Sequence, residues 1–445
     1  RPGAMNRSPT PARREVVLVA GLRTPLARAG GAFAREDAGH LGASVVRELV
    51  ARTGIDPSRV AEVVAGCAGP PADQSNVGRV IALRAGIPEH VPACTVARNC
   101  AAGMEAITYA ATRIEAGRGD VYLCVGVEVM SRFPLLYNEA ATRQFEKVSR
   151  ARGIGARIAA LAGFRPKMLL SPRIGIMEGL TDPISGLIMG KTAEILAREF
   201  AISREDADRY ALQSHQRAKA ARDVGRFVRE IVPHLPLGAR DGARALEHDD
   251  SIRDEQTLAG LAKLSPYFEK PDGRVTVGNS CGITDAACAL LVTSAEAARE
   301  LGLTPLARIK SWAYAGLDPA RMGLGPVYAT AKVLDESGVR MSDIASVELN
   351  EAFAAQVLAC AQAFDSDTFA KEKLGRSTKL GALDPARLNP NGGAIAVGHP
   401  VGCTGARIVL SAAHELHVRD AELALATLCI GGGQGGAMLL ERISA

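Results

Sequence analysis

An α/β fold built from two related halves is predicted by three observations: apolar runs that alternate with helix-period stretches, a repeat between the two ends of the chain, and a ring-poor, glycine-rich composition. The runs cover 16–20, 60–65, 121–125, 346–349 and 423–429 and are rich in Val, Leu and Ile. Each has the length of a buried strand, and intervening stretches such as 41–49 carry helical spacing, as crossover helices of a parallel sheet do. In the repeat, Asn99-Cys100-x-x-Gly103 leads into a helix with Ala110-Ala111, and Gly402-x-x-Gly405 leads into one with Ala412-Ala413, 302 positions later. Likewise Val60-Ala61-Glu62-Val63-Val64 is echoed by Ile344-Ala345-Ser346-Val347-Glu348. The plain alternative is that any two βα units look alike in small residues. A true duplication brings helix N-termini of both halves to a shared axis, where one pocket collects residues from each.

The 445 residues leave room for two or three compact units, and 47% hydrophobic with 23% charged residues excludes a disordered or fibrous chain. A net charge of +5 from 53 basic and 48 acidic residues gives no whole-molecule field for nucleic acid, so no such partner is expected. Aromatic residues are 4% with one Trp, against 46 Gly, so small residues set the packing. The nine cysteines are odd in number, scattered and without a C-x-x-C pair, which argues against a disulfide framework or zinc ribbon and for a reducing compartment. The uncharged run 423–440 is broken by Gly431-Gly432-Gly433-Gln434-Gly435-Gly436 and makes a poor bilayer-spanning helix. The opening Arg1-Pro2-Gly3-Ala4 before Met5 reads as an expression scar, no secretory apolar segment follows it, and a cytoplasmic location is expected.

Over about 131–272 the strand alternation stops. Within 138–175, eight basic residues (Arg143, Lys147, Arg150, Arg152, Arg157, Arg165, Lys167, Arg173) face two acids, Glu139 and Glu146. Ile154, Ile158, Leu161, Phe164 and Met168 follow at helical intervals of three and four. A basic amphipathic segment of this kind lies on a membrane surface, grips an anionic ligand or docks a partner; the bland alternative is a solvated helix packed on its own domain.

Four short motifs carry chemistry. In Ala97-Arg98-Asn99-Cys100-Ala101-Ala102-Gly103-Met104, Asn99 is an N-cap candidate that puts Cys100 in the first turn of a helix whose apolar face is Met104, Ile107, Ala111 and Ile114. Helix amides and dipole there favour an anion, so the thiol is expected to be drawn towards its nucleophilic thiolate, although a buried inert Cys is the usual fate of the residue type. The loop Asn389-Pro390-Asn391-Gly392-Gly393-Ala394-Ile395-Ala396-Val397-Gly398-His399-Pro400 presents one His before a helix starting near Gly405, where it can activate a thiol or donate to an oxyanion. In Leu428-Cys429-Ile430-Gly431-Gly432-Gly433, a second thiol ends a strand and the Gly431 amide can face an oxyanion; a phosphate-cradling loop or plain turn is the alternative. Asn350-Glu351-Ala352-Phe353 ends another strand with an amide able to fix a water or a neighbouring ring.

Together Cys100, Asn350-Glu351-Ala352-Phe353, Gly398-His399-Pro400 and Cys429-Ile430-Gly431 resemble the thiolase family signature. The resemblance runs over nearly the whole chain, through Gly126-Val127-Glu128-Val129-Met130-Ser131, Met189-Gly190-Lys191-Thr192-Ala193-Glu194 and Thr276-Val277-Gly278-Asn279-Ser280-Cys281-Gly282. The stretch Phe364-Asp365-Ser366-Asp367-Thr368-Phe369-Ala370 and the basic insertion look most like the thiolase subunit of fatty-acid β-oxidation trifunctional complexes. The resemblance implies duplicated βαβαβαββ halves in a five-layered αβαβα core. The N-terminal half would occupy 1–130 and 273–300, a loop domain over the coenzyme A site 131–272, and the C-terminal half 301–445. It implies CoA-dependent cleavage of 3-ketoacyl-CoA, with Cys100 as acyl-carrying nucleophile, His399 as its base, Cys429 as proton donor to the acetyl-CoA enolate and Asn350 as holder of a water. The oxyanion sites would be the Cys100 and Gly431 amides, and His399 with that water. Ile188, Met189, Ser280 and Cys281 would contact substrate. Coenzyme A enters as substrate, with no bound cofactor and no metal needed. A homodimer or tetramer, a hydratase and dehydrogenase partner subunit, and peripheral membrane contact through 138–175 are the further expectations.

Three positions depart from subfamily patterns. Ile188 stands where short-chain acetoacetyl-CoA enzymes carry a His, which leans towards a wider, more apolar acyl site. Cys281 replaces a common Ser, and Asn350 replaces the His usual in trifunctional-type subunits. A biosynthetic acetoacetyl-CoA thiolase or another Claisen-type condensing enzyme on the same fold is the nearest alternative, but such condensing enzymes need no second proton-transferring thiol. A silent acyl-CoA-binding protein would be expected to have lost one of the cysteines.

Overall fold

The computed structural model describes residues 14–443, and the Arg1-to-Ala4 stretch read as an expression scar lies outside the described residues. The first half runs β1 (Val16–Arg23), α1 (Ala38–Thr53), β2 (Glu62–Gly66), α2 (Val77–Arg84), β3 (Ala93–Val96), α3 (Ala102–Glu115) and β4 (Val121–Val129). The chain then leaves the sheet through a stretch that includes α4 (Glu139–Arg150), α5 (Ile154–Ala162), α6 (Pro166–Leu170), α7 (Met189–Glu199) and α8 (Arg204–Asp223), before β5 (Thr284–Ser294) closes the half. The second half follows as β6 (Ala307–Gly316), α9 (Gly325–Ser337), β7 (Ser346–Leu349), α10 (Ala354–Phe364), α11 (Val401–Val418), β8 (Leu423–Ile430) and β9 (Gln434–Glu441).

Duplication is visible in the strand order, β7-β8-β9-β6 and then β1-β5-β4-β2-β3, which reads outward from the β6–β1 junction in the same sense on both sides. In each half an inner pair is parallel, β2 with β4 and β7 with β8, and the closing strand returns antiparallel, β5 against β4 and β9 against β8. The halves join where Val17 pairs with Arg308 and Leu18 with Ala307. Three apolar clusters separate five layers: α1 and α2 cover one outer face, α9 and α10 the other, and α3 with α11 fill the middle.

The middle helices cross at glycines that are equivalent in the repeat. A β-carbon on Gly103 would sit 2.7 Å from the Ala406 nitrogen and 2.8 Å from the Gly402 carbonyl, and one on Gly405 would sit 2.6 Å from the Met104 nitrogen. This crossing draws the N-terminal ends of α3 and α11, and hence Cys100 and His399, to one side of the core. Buried Glu128 at the end of β4 tightens the junction by accepting the Gly402 amide at 2.9 Å together with those of Ala68 and Gly69.

Several sequence expectations change. The helix expected near Gly405 starts four residues earlier, at Val401, because Glu128 satisfies one of its open first-turn amides. The 423–440 run is a hairpin of β8 and β9, turned at Gly432 and Gly433 with positive φ of 88° and 79°. Strands β3, β5, β6 and β9 lie outside the apolar runs read from sequence. Among the described residues no helix is long and apolar enough to cross a membrane. The single helix expected over 154–168 breaks after Gly163 into α5 and α6. A small aromatic cluster of Tyr137, Phe145 and Phe164 holds this helical hairpin, with neighbouring ring centroids 4.8 Å apart. Its other apolar side chains stay in solvent: Ile154 is 80% exposed, Leu170 79% and Ile158 61%.

Candidate active site

Cys100 lies in a short 3-10 turn, Asn99–Ala101, that feeds α3. Asn99 is not the expected N-cap. Its backbone is left-handed with φ 43°, and its side-chain amide crosses to donate to the Gly431 carbonyl at 2.9 Å. That latch ties the Cys100 turn to the β8–β9 turn, and the Gly431 and Cys100 backbone amides both favour negative charge on the Cys100 sulfur. The expected resting thiolate is also corrected. Burial pushes the thiol above its ordinary value and outweighs both amides, so the free enzyme holds Cys100 as a thiol.

Cys429 is the penultimate residue of β8, two before Gly431, and is 1% exposed. Burial holds its thiol far above the ordinary value, and the neighbouring thiols of Cys100, Cys360 and Cys281 add to the rise. Cys281 is raised to about 12 by burial, with Cys100 next. Cys100 acts on the titration of both Cys281 and Cys429, so the three thiols lie near one another although they come from three distant segments.

His399 is buried, 6% exposed, and held by its backbone N–H to the Gly282 carbonyl at 3.0 Å. Its Nδ1 lies 2.6 Å from the Thr404 hydroxyl oxygen, and that hydroxyl donates to the Pro400 carbonyl at 3.1 Å. With the hydroxyl proton on the Pro400 carbonyl, the oxygen accepts from Nδ1–H and the Nε2 lone pair is left free, the tautomer a general base requires. Nε2 is buried without a protein partner. Burial first, then Arg407, lowers this imidazole to about 3, which keeps it neutral near pH 7.

Asn350 is 1% exposed, and both polar atoms of its side chain lack a partner. A buried amide left open on both ends is costly unless it meets a water or ligand. Its neighbour Glu351 faces away and is fully engaged by Tyr210, Ser214, the Asn389 amide and the Ile395 N–H. Asn389, with φ 43°, accepts from the Leu349 amide and donates to its carbonyl, both at 2.8 Å, so the glycine loop is zipped to the end of β7.

Met189 opens α7 with its sulfur beside Gly431: a β-carbon there would be 3.3 Å from Sδ. Ile188 precedes it in extended conformation and bridges to Thr181. Phe268 packs over Gly190 and meets Phe353 edge-on at 6.2 Å, extending an apolar wall from Met189. The Ser280 hydroxyl is committed to the Thr276 carbonyl at 2.6 Å. Thus Cys100, Cys429, Gly431, Met189 and Cys281 are brought together, and His399 is fastened through Gly282 to the segment carrying Cys281. Thr404 escaped sequence reading, its available signal being a hydroxyl one helical turn after the His-Pro pair; Asn99 was read only as an N-cap and Asn389 only as the start of the glycine loop.

Comparison with known proteins agrees with this architecture. Residues 16–296 match the model of the thiolase N-terminal domain and residues 303–442 that of the thiolase C-terminal domain. The chain is 41% identical to an Escherichia coli 3-oxoadipyl-CoA/3-oxo-5,6-dehydrosuberyl-CoA thiolase, covering 97% of this chain and 100% of that protein. It is 39% identical to a Yersinia pestis 3-ketoacyl-CoA thiolase, covering 96% of each. Among solved structures, a Bacillus anthracis acetyl-CoA acetyltransferase superposes with a TM-score of 0.85 at 36% identity over 98% of this chain and 100% of that one. A human mitochondrial 3-ketoacyl-CoA thiolase in complex with CoA gives 0.83 at 34% identity over 97% and 98%.

Proposed function

The chain belongs to the thiolase family of acyltransferases, and from that premise we propose that it cleaves 3-ketoacyl-CoA with coenzyme A, giving acetyl-CoA and a shortened acyl-CoA through an acyl-Cys100 intermediate. The observation that carries this reading is the latch of Asn99 on Gly431, which holds the Cys100 sulfur under two backbone amides with Cys429 alongside.

The Cys100 sulfur attacks the 3-keto carbon while its proton passes to the free Nε2 of His399. Neither partner is ionised at rest, so attack and proton transfer run together, as general-base catalysis does. The bond between C2 and C3 then breaks, and the acetyl-CoA enolate takes a proton from Cys429 at C2. Coenzyme A next attacks the thioester; its thiol proton restores Cys429, and the released Cys100 sulfur regains the proton held by His399. The Cys100 and Gly431 amides receive charge on the thioester oxygen. Asn350, through a water, and His399 receive it on the enolate oxygen, and an oxyanion donor of this kind contributes on the order of 3 kcal/mol.

The apolar wall of Ile188, Met189, Phe268 and Phe353 supports acyl groups longer than acetyl, with the 131–272 insertion lying over the coenzyme A portion. A degradative role in fatty-acid β-oxidation fits this wall, and the same residues run the condensation in reverse. The family resemblance supports a homodimer or tetramer, with Ser280 and Cys281 near the substrate. The exposed cationic hairpin of 138–175 supports contact with an anionic membrane or a hydratase and dehydrogenase subunit. Steady-state cleavage of 3-ketoacyl-CoAs of graded length tests the function. The expected kcat/KM rises beyond the acetoacetyl substrate, and activity confined to acetoacetyl-CoA would overturn the longer-chain reading.

A further inference from the structure

Away from the reacting thiols, Glu36, His40 and His234 form a compact cluster that the proposed reaction does not use. Glu36 is fully buried just before α1, and its oxygens meet His40 Nδ1 at 2.8 Å and His234 Nε2 at 2.9 Å. Among the described residues no arginine or lysine pairs with this carboxylate; two imidazoles and the Leu237 amide at 2.8 Å are its partners. The two nitrogens and one carboxylate oxygen lie within 4.8 Å of one another.

We propose that Glu36, His40 and His234 bind a zinc ion that staples the insertion to the N-terminal half. Nitrogen and carboxylate donors suit zinc, and tetrahedral bonds of about 2.1 Å place ligand atoms about 3.4 Å apart. The nitrogen–oxygen contacts would open by a few tenths of an ångström and the two nitrogens would draw in, movements within reach of side-chain rotation. Each imidazole proton moves to the opposite ring nitrogen, so two neutral histidines and one carboxylate face the ion without net proton loss.

The frame around the ligands is already ordered. Asp37 caps α1 and fixes the His40 amide at 2.9 Å, while His234 exchanges backbone bonds with Leu246 at 3.0 and 2.9 Å. The His40 side chain is 29% exposed, which leaves a water-accessible fourth position. Glu36 and His234 are 198 residues apart, so the ion would cross-link two distant segments.

The test uses the full chain, stripped with chelator and then titrated with zinc by calorimetry, alongside His40→Ala and His40→Gln; the Gln variant keeps a hydrogen-bond donor towards Glu36. The expected result is one zinc per chain, a melting midpoint raised by zinc, and at least tenfold weaker binding with no midpoint shift in both variants. Cobalt in place of zinc should give tetrahedral visible bands without a thiolate charge-transfer band. Absence of stoichiometric binding, equal binding by the variants, or a thiolate band lost in Cys100→Ser would overturn the proposal, the last by moving the ion to the reactive cysteines.

Discussion

The Thr404 hydroxyl, spent on the Pro400 carbonyl, accepts the Nδ1–H of His399 and so fixes which ring nitrogen is free to act as a base. A residue outside the proposed reaction thereby sets the protonation pattern of the imidazole proposed as base. Thr404→Val is expected to lower kcat roughly 10- to 100-fold, a part of what a positioned base contributes, with KM little changed. Thr404→Ser should restore most of the rate; equal loss in both variants would reduce Thr404 to packing.

The pair of a raised thiol and a lowered imidazole makes a prediction for acid stability. His399 is lowered to about 3 in the folded chain and has an ordinary value of 6.5, so between these values unfolding takes up a proton at this site. Its contribution is fully present above about pH 6.5 and falls by roughly 1.4 kcal/mol per pH unit as acid is added. Denaturant titrations from pH 7 to 4 should show a shallower pH slope in His399→Gln than in the parent chain. An identical slope would place the imidazole in solvent.

Cys429 is assigned the proton at the α-carbon and no covalent bond. Cys429→Ala should therefore still take up an acyl group from acyl-CoA, more slowly because it lacks the thiol that protonates departing coenzyme A, while condensation falls by at least 1,000-fold. Parallel loss of both would make it a structural thiol.

The helical hairpin keeps Ile154, Ile158 and Leu170 in solvent beside an excess of basic residues, a combination that favours an anionic surface. Replacing these three by Ser should cut co-sedimentation with phosphatidylserine vesicles several-fold, and raising salt should weaken what remains. Unchanged sedimentation would leave the face to a protein partner, testable with the same variant by subunit pull-down.

The thiol, imidazole and amide positions were legible because each sits in a short motif of unusual composition, and the duplication was legible because Gly103 and Gly405 must both stay small where α3 crosses α11. The state of Cys100 was not legible. Local sequence advertises helix amides, whereas the deciding influence is the desolvation of the thiol in the folded chain. Asn99 misled for a related reason: a capping residue type is also a good left-handed residue, and only the tertiary position of Gly431 selects between the two uses. Strand β9 was hidden because Gly435 packs directly on the backbone of Gly325, so a strand rich in glycine is required where sequence propensity favours a turn.

In the proposed reaction Cys100 alone carries the acyl group. Rapid quenching with a 3-ketoacyl-CoA in the absence of free coenzyme A, followed by peptide mass spectrometry, reads this directly. The expected result is one shortened acyl group per active chain on the peptide containing Cys100, with an equal burst of acetyl-CoA. Acyl label on Cys429 or Cys281, or turnover with no labelled cysteine, would contradict it.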